Sequence, residues 1–136
     1  MEAQSLVLIA NDDIDILRQL KTVLDHQKIR SSYAASCEEA RQCMLGNRAP
    51  DVVFTGTSFP DGTWRDVLAM SRTCKPHPAV ILTTRLVDMN LYFDAMEERA
   101  FDYVVPPFAL DDLAWIIACA AAQGFGRRKQ KVASFA

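Results

Sequence analysis

Short runs of apolar and β-branched residues alternate along this chain with segments of helical spacing. That alternation limits the fold more than any other feature. Leu6-Val7-Leu8-Ile9-Ala10 is a continuous apolar run, the pattern of a strand buried on both faces. Val52-Val53-Phe54-Thr55 and Ala79-Val80-Ile81-Leu82-Thr83 repeat the pattern. A weaker strand is expected from about Ile29 to Ala34, and a short one at Tyr103-Val104-Val105, stopped by Pro106-Pro107.

Helical segments fill the intervals. Ile16, Leu17, Leu20, Val23 and Leu24 share one helical face, and Asp12, Asp13 or Asp15 is available to cap it. Ser36 and Glu39 have capping-box spacing at the start of a second helix through Met44 and Leu45, with Gly46-Asn47 as its stop. Pro60-Asp61-Gly62 reads as a turn, and Trp64, Val67, Leu68 and Ser71 mark a third helix. A fourth is expected from about Asp88 to Arg99 and a last from about Leu110 to Gln123. Five strand–helix units at this spacing require parallel pairing with right-handed crossovers. The expected fold is α/β: a five-stranded parallel sheet, doubly wound, with helices on both faces. In such sheets function sits beyond the carboxyl ends of the strands. Those ends are Ala10-Asn11-Asp12-Asp13, Thr55-Gly56-Thr57, Thr83-Thr84 and Val105-Pro106-Pro107.

Composition narrows the function classes. The 136 residues suit one domain, read as 1–124, with a basic tail over 125–136. No apolar run approaches the ~20 residues of a membrane span, and no basic flank precedes an apolar leader. A net charge of −2 does not suggest a nucleic-acid binder. The charge is nevertheless unevenly placed. Arg127, Arg128, Lys129 and Lys131 lie in a tail without acids; the eleven basic residues of the body face all seventeen acids. The tail is read as a solvated end. Cys37, Cys43, Cys74 and Cys119 show no metal-ligand spacing, and His26 and His77 stand apart, so reduced thiols in a cytoplasmic protein are expected.

Several patterns, in order, carry a family resemblance over roughly residues 5–123. They are Leu8-Ile9-Ala10-Asn11-Asp12-Asp13, Pro50-Asp51-Val52-Val53-Phe54 leading to Phe59-Pro60-Asp61-Gly62, Val80-Ile81-Leu82-Thr83-Thr84, and Phe101-Asp102-Tyr103-Val104-Val105-Pro106-Pro107-Phe108. Together they resemble the receiver domain of two-component response regulators, which has a flavodoxin-like fold. The resemblance implies a phosphorelay signalling role, not an enzyme's. It also implies an aspartate after the third strand that accepts a phosphoryl group from a histidine kinase. Two acids after the first strand hold Mg²⁺, a lysine after the fifth strand pairs with the phosphate, and a hydroxyl and an aromatic residue act as a switch. That chemistry rests on neutralising charge on the transferring group.

Here Gly56 stands at the acceptor position and Pro106 at the lysine position. Asn11 and Asp12 stand at the acidic pair, with Asp13 next. Thr83 and Tyr103 keep the switch positions, and Pro107 and Phe108 are retained. Loss of the nucleophile and its counter-charge together implies an atypical receiver that acts by protein contact without phosphorylation. Asp12 and Asp13 alone make a weak Mg²⁺ site or none, so no cofactor is expected. The plain alternatives are that these two acids only start the helix and that Thr83 and Tyr103 are ordinary strand residues. Thr55-Gly56-Thr57-Ser58 does not open into a helix, which argues against an anion cradle; alternation is expected to point Thr55 and Thr57 away from the pocket.

The last helix is apolar nearly all round. Leu113, Ile117 and Ala120 suit the sheet, while Trp115, Ala118, Cys119 and Ala122 need another partner, with Tyr92 or Phe93 adding to the patch. The expected partner is a sensor kinase, an output regulator or a second copy, through a homodimer face on this helix. Competing readings are a receiver with a relocated acceptor at Asp61 or Asp51, and a small-ligand-binding flavodoxin-like module. The latter lacks a glycine-rich loop after its first strand.

Overall fold

The computed structural model describes residues 6–46 and 49–126. The basic run after Gly126 and the stop residue Asn47 lie outside them. The chain runs β1 (Leu6–Ala10), α1 (Ile14–His26), β2 (Arg30–Ala34), α2 (Cys37–Met44), β3 (Val52–Thr55), β4 (Ser58–Phe59), β5 (Gly62–Thr63), α3 (Trp64–Ser71), β6 (Ala79–Thr83), α4 (Met89–Glu97), β7 (Asp102–Val104) and α5 (Leu110–Gly126). The five-stranded sheet has the order β2-β1-β3-β6-β7, all parallel. β4 and β5 form a separate antiparallel hairpin around the expected turn at Pro60-Asp61.

The apolar strands are buried on both faces because helices cover both. One layer packs Leu20 and Leu24 of α1 and Leu113, Ile117 and Ala120 of α5 against Val7, Ile9, Phe54 and Ile81. The other packs α2, α3 and α4, through Ala40, Val67 and Ala95, against Leu8, Val53 and Leu82. Strands β1, β3 and β6 are central, buried throughout but for Leu6 at the start of β1, and β7 is an edge. Trp64, Val67, Leu68 and Ser71 are the buried face of α3, as their spacing requires. Arg65 ties α3 to α4 by ion pairs to Asp94 at 3.6 Å and Glu98 at 3.4 Å.

The helix ends correct several local expectations. Asp13 alone caps α1, accepting the N–H groups of Asp15 and Ile16. Ser36 caps α2 through the Glu39 N–H, but the Glu39 carboxylate reaches the Ala35 N–H instead of closing the box on Ser36. A reciprocal box forms at Thr63 and Asp66, starting α3. Helix α2 ends on Leu45, at φ −92° and ψ 4°, without a left-handed glycine at Gly46. Among the described residues the left-handed ones are Lys28 and Arg99, following α1 and α4. α5 continues through Gly124 to Gly126, past the expected stop at Gln123. The Pro106–Pro107 bond is cis. Among the described residues no helix is long and apolar enough to cross a membrane.

Candidate functional site

The parallel sheet gathers the predicted residues at one end. Asn11, Asp12 and Asp13 follow β1, Gly56 and Thr57 follow β3, and Thr83 closes β6. With Thr84 and Arg85 they line one cleft of about 150 Å³. Gly56 is fixed at the end of β3 by its N–H to the Ala10 carbonyl at 2.8 Å. Thr57 lines the cleft as well, contrary to the alternation argument, because β3 ends at Thr55 and strand periodicity no longer applies. Thr55 is buried, its hydroxyl donating to the Gly56 carbonyl.

Asn11 and Gly56 are packed as a pair. Asn11 is 3% exposed, and its Oδ1 accepts the Asp13 N–H at 2.8 Å. That bond fixes which way the amide faces. A Cβ on Gly56 would lie 3.0 Å from Cγ and Oδ1 of Asn11 and 3.1 Å from Nδ2. The Asn11 amide therefore fills the space a side chain at position 56 would enter. Nδ2 of Asn11 and the hydroxyl of Thr83, which is 1% exposed, are buried without a hydrogen-bond partner. Thr83 lies one residue beyond the paired rung Thr55↔Leu82, which places it beside Gly56.

The surviving acids are differently used. Asp13 receives the Arg85 guanidinium through Nε at 2.6 Å and Nη2 at 3.0 Å, and Nη2 also bonds Asp15 at 2.9 Å. The Arg85 bonds, and then the backbone N–H groups of Ile16 and Asp15, hold the Asp13 carboxyl below the usual aspartate range against partial burial. Asp12 is exposed. Sequence reading missed Arg85; its signal was an arginine two residues past the end of β6, opposite the acidic run after β1.

Tyr103 and Pro106 do not line this cleft. Tyr103 lines a separate cavity of about 200 Å³ with Val87, Met89, Tyr92 and Val105. Its hydroxyl meets Thr84 Oγ1 at 2.6 Å, accepts the Asp88 N–H at 3.1 Å and reaches the Leu86 carbonyl at 3.3 Å. The structure thus joins Tyr103 to Thr84 and not to Thr83. Pro106 is half-buried just beyond β7.

Elsewhere, Asp61 accepts the N–H groups of Cys37 and Glu38 at 2.8 and 3.0 Å, capping α2, and these donors hold its carboxyl low. Asp51 precedes β3 at the opposite end from Gly56 and accepts the Leu6 N–H at 2.9 Å. The four cysteines are free. Burial, with Asp61 and Asp66 nearby, pushes the Cys37 thiol up to about 11. A wider depression of about 820 Å³, lined by Ser71, Arg72, His77, Glu97 and Arg99 among others, lies at the amino ends of the strands and contains no predicted site residue.

The α5 expectation is met in its buried half: Leu113, Ile117 and Ala120 face the sheet. Trp115 is 70% exposed, Ala118 and Ala122 are exposed, and Cys119 is half-buried. Phe93 is 60% exposed and Tyr92 half-buried, but both sit on α4, in the opposite layer across the β7 edge.

The chain matches the family model described as "Response regulator receiver domain" over residues 7–118. It is 33% identical over 111 residues to the transcriptional regulatory protein KdpE of Mycobacterium tuberculosis, covering 79% of this chain and 47% of that protein. It is 29% identical over 117 residues to the regulatory protein AtoC of Escherichia coli, covering 86% of this chain and 25% of that one. The chain thus spans half or less of the length of these relatives. A solved receiver domain from Clostridium thermocellum is 29% identical, with a TM-score of 0.75 over 88% of this chain and 95% of that one. A solved response regulator from Chloroflexus aurantiacus is 25% identical, with a TM-score of 0.78 over 88% of this chain and 99% of that one. With that match over most of its length, on a doubly wound parallel sheet, the chain belongs to the response regulator receiver domain family of two-component systems.

Proposed function

We propose that this receiver domain signals by protein contact without being phosphorylated. The observation that carries the reading is Gly56 at the carboxyl end of the central strand β3, its side-chain space closed by the Asn11 amide. The resemblance puts the acceptor aspartate there, and glycine offers no nucleophile. Pro106 supplies neither ammonium nor N–H where the lysine belongs. Asp61 is a poor substitute acceptor because its oxygens already cap α2. Asp51 lies at the wrong end of the strand.

The residues present do not fit the family's Mg²⁺. Such a site needs several hard oxygen ligands in octahedral array. Asn11 Oδ1 already accepts an N–H, and the Asp13 oxygens are taken by Arg85 and the cap, which leaves Asp12. Arg85 provides the positive charge that these acids would otherwise seek from a cation.

Contact with a sensor kinase, an output regulator or a second copy is assigned to Trp115, Ala118, Cys119 and Ala122 of α5, with Tyr92 and Phe93 beyond the β7 edge. KdpE and AtoC are regulatory proteins by name, which favours a regulatory output. The Tyr103 hydroxyl meets Thr84 and the Asp88 N–H and not Thr83, and so clasps the segment after β6.

The test is incubation with a small-molecule phosphodonor and Mg²⁺, then intact mass measurement. The mass is expected to stay unchanged. A stable one-phosphate adduct overturns the reading, and fragment mapping would then separate Asp61 from Asp51.

A further inference from the structure

The segment between β6 and α4, from Thr84 to Asp88, is held in place by side chains. Among the described residues, Arg85, Leu86 and Val87 form no backbone–backbone hydrogen bond. A stretch of that kind opens readily unless something else fixes it. Two ties do so here, one to α1 and one to β7. Arg85 reaches back to α1. Its guanidinium grips Asp13 through Nε at 2.6 Å and Nη2 at 3.0 Å, and Nη2 also bonds Asp15 at 2.9 Å. Tyr103 of β7 makes the other tie. The Thr84 hydroxyl donates its one hydrogen to the Leu86 carbonyl at 2.7 Å, so the Tyr103 hydroxyl donates to Thr84 Oγ1 at 2.6 Å. Tyr103 Oη also accepts the Asp88 N–H at 3.1 Å, and Asp88 caps α4 by accepting the Leu91 N–H at 3.2 Å.

The place of Arg85 is not explained by the helix it touches. Acids at the start of α1 suit its dipole unaided, and a guanidinium set there is opposed by it. A forked pair to a carboxylate is directional, so it fixes the backbone that carries it. That backbone presents Leu86, which is 80% exposed, with Val87 and Met89 exposed beside it. Val87 and Met89 share a cavity wall with Tyr92 and Tyr103, which makes them continuous with the contact surface assigned to this edge. We propose that Arg85 is a permanent latch. With Tyr103 it holds the segment from Thr84 to Asp88 in one shape, so the chain sets the surface around Leu86 and Val87 by its own ion pair and needs no phosphoryl group to do so. The inference rests on the reading of this domain as one that signals by contact without phosphorylation. Because both ties act on one short segment, they are coupled: each holds less firmly once the other is gone.

Amide hydrogen exchange of the full chain, followed by NMR, tests the latch. The readouts are the N–H groups of Asp88 and Leu91, neither of which Arg85 touches. Arg85→Ala should speed their exchange at least about fivefold while the urea midpoint hardly moves, because an ion pair to an exposed arginine adds little to global stability. Arg85→Lys, which keeps the charge and loses the fork, should fall between parent and Arg85→Ala. Tyr103→Phe should also speed both amides. Adding Arg85→Ala to it should bring less than about a further twofold, the mark of two ties on one segment. Arg41→Ala, which removes the Arg41–Glu38 pair on α2, is the control and should leave both amides unchanged. Unchanged exchange in Arg85→Ala overturns the proposal, as do two effects that simply multiply. So does a rise matched by Arg41→Ala or by an equal fall in global stability, since the ion pair is then no local latch. The phosphodonor measurement runs on the same parent sample. No adduct with unchanged exchange sinks the latch alone, whereas an adduct with the expected exchange sinks the proposed function alone.

Discussion

Thr83→Val is expected to stabilise the domain, against the usual direction of core substitutions. Thr83 is 1% exposed at the end of β6, and its hydroxyl has no partner. Valine has the same branched shape, so packing and the stiff strand rotamer are kept while the polar atom goes. An unpaired buried hydroxyl costs about 1–3 kcal/mol relative to water. Removing it should gain about 1 kcal/mol, after allowing for residual polar contacts in the cleft. For a domain of this size that is a rise in Tm of roughly 3–5 °C. The assay is urea unfolding, where the midpoint should rise without a change in slope. Thr84→Val is the internal control, one residue away. The Thr84 hydroxyl donates to the Leu86 carbonyl at 2.7 Å and meets Tyr103 Oη at 2.6 Å. Losing it should destabilise by about 1 kcal/mol, the typical net worth of such bonds. Opposite signs at adjacent threonines are the signature. If Thr83→Val loses stability as Thr84→Val does, the Thr83 hydroxyl is satisfied in solution and the account of the cleft is wrong.

Other outcomes follow from the same geometry. Gly56→Ala should cost about 1–3 kcal/mol in urea unfolding, because its Cβ meets a buried Asn11 held by the Asp13 N–H; adding Asn11→Ala should make the second change partly compensate the first, so strict additivity refutes the contact. Arg85→Ala should raise the Asp13 carboxyl toward the ordinary aspartate value, about 3.9, read by carboxyl NMR titration. A depressed folded value means that the stability from Asp13 is full above about pH 4 and is lost as pH falls through the folded value; the variant should lose less stability over that acid range than the parent. Native alkylation near pH 8, followed by mass mapping, should label Cys37 and Cys74 last, since both are buried and burial raises both thiols; early labelling of Cys37 would contradict its packing under the Gly62 turn.

The strands were legible because burial on both faces leaves a plain signal: β1, β3 and β6 run over the residues their apolar runs marked. The hairpin of β4 and β5 was not, since two-residue strands have no periodicity and only their turn shows. The capping box at Thr63 and Asp66 had a readable spacing that was passed over, while the one read at Ser36 closed only in part. At the end of α5, Gly124 and Gly126 each lower helix propensity by about 1 kcal/mol relative to alanine. The helix nevertheless continues to Gly126.

At the site, the residue types were legible and their coupling was not. Gly56, Pro106 and Asn11 can each be counted against the family pattern, as separate losses. The structure makes two of them one unit. The carboxamide of Asn11 turns in over β3 because Gly56 leaves that space, and the Asp13 N–H holds it there through Oδ1. Asp13 in turn is held by Arg85, from seventy-two residues further along the chain. No periodicity or motif reports a contact of that separation; only the sheet, by lining up the ends of β1 and β6, brings the two together. It follows that reinstating an aspartate at position 56 would not simply refill a vacant acceptor site. The new side chain would have to displace a buried amide and would meet a pocket in which Asp13 already has its counter-charge in Arg85. On the proposed reading, phosphorylation is opposed by packing as well as by missing groups, and the outer surface is what is left to carry a signal.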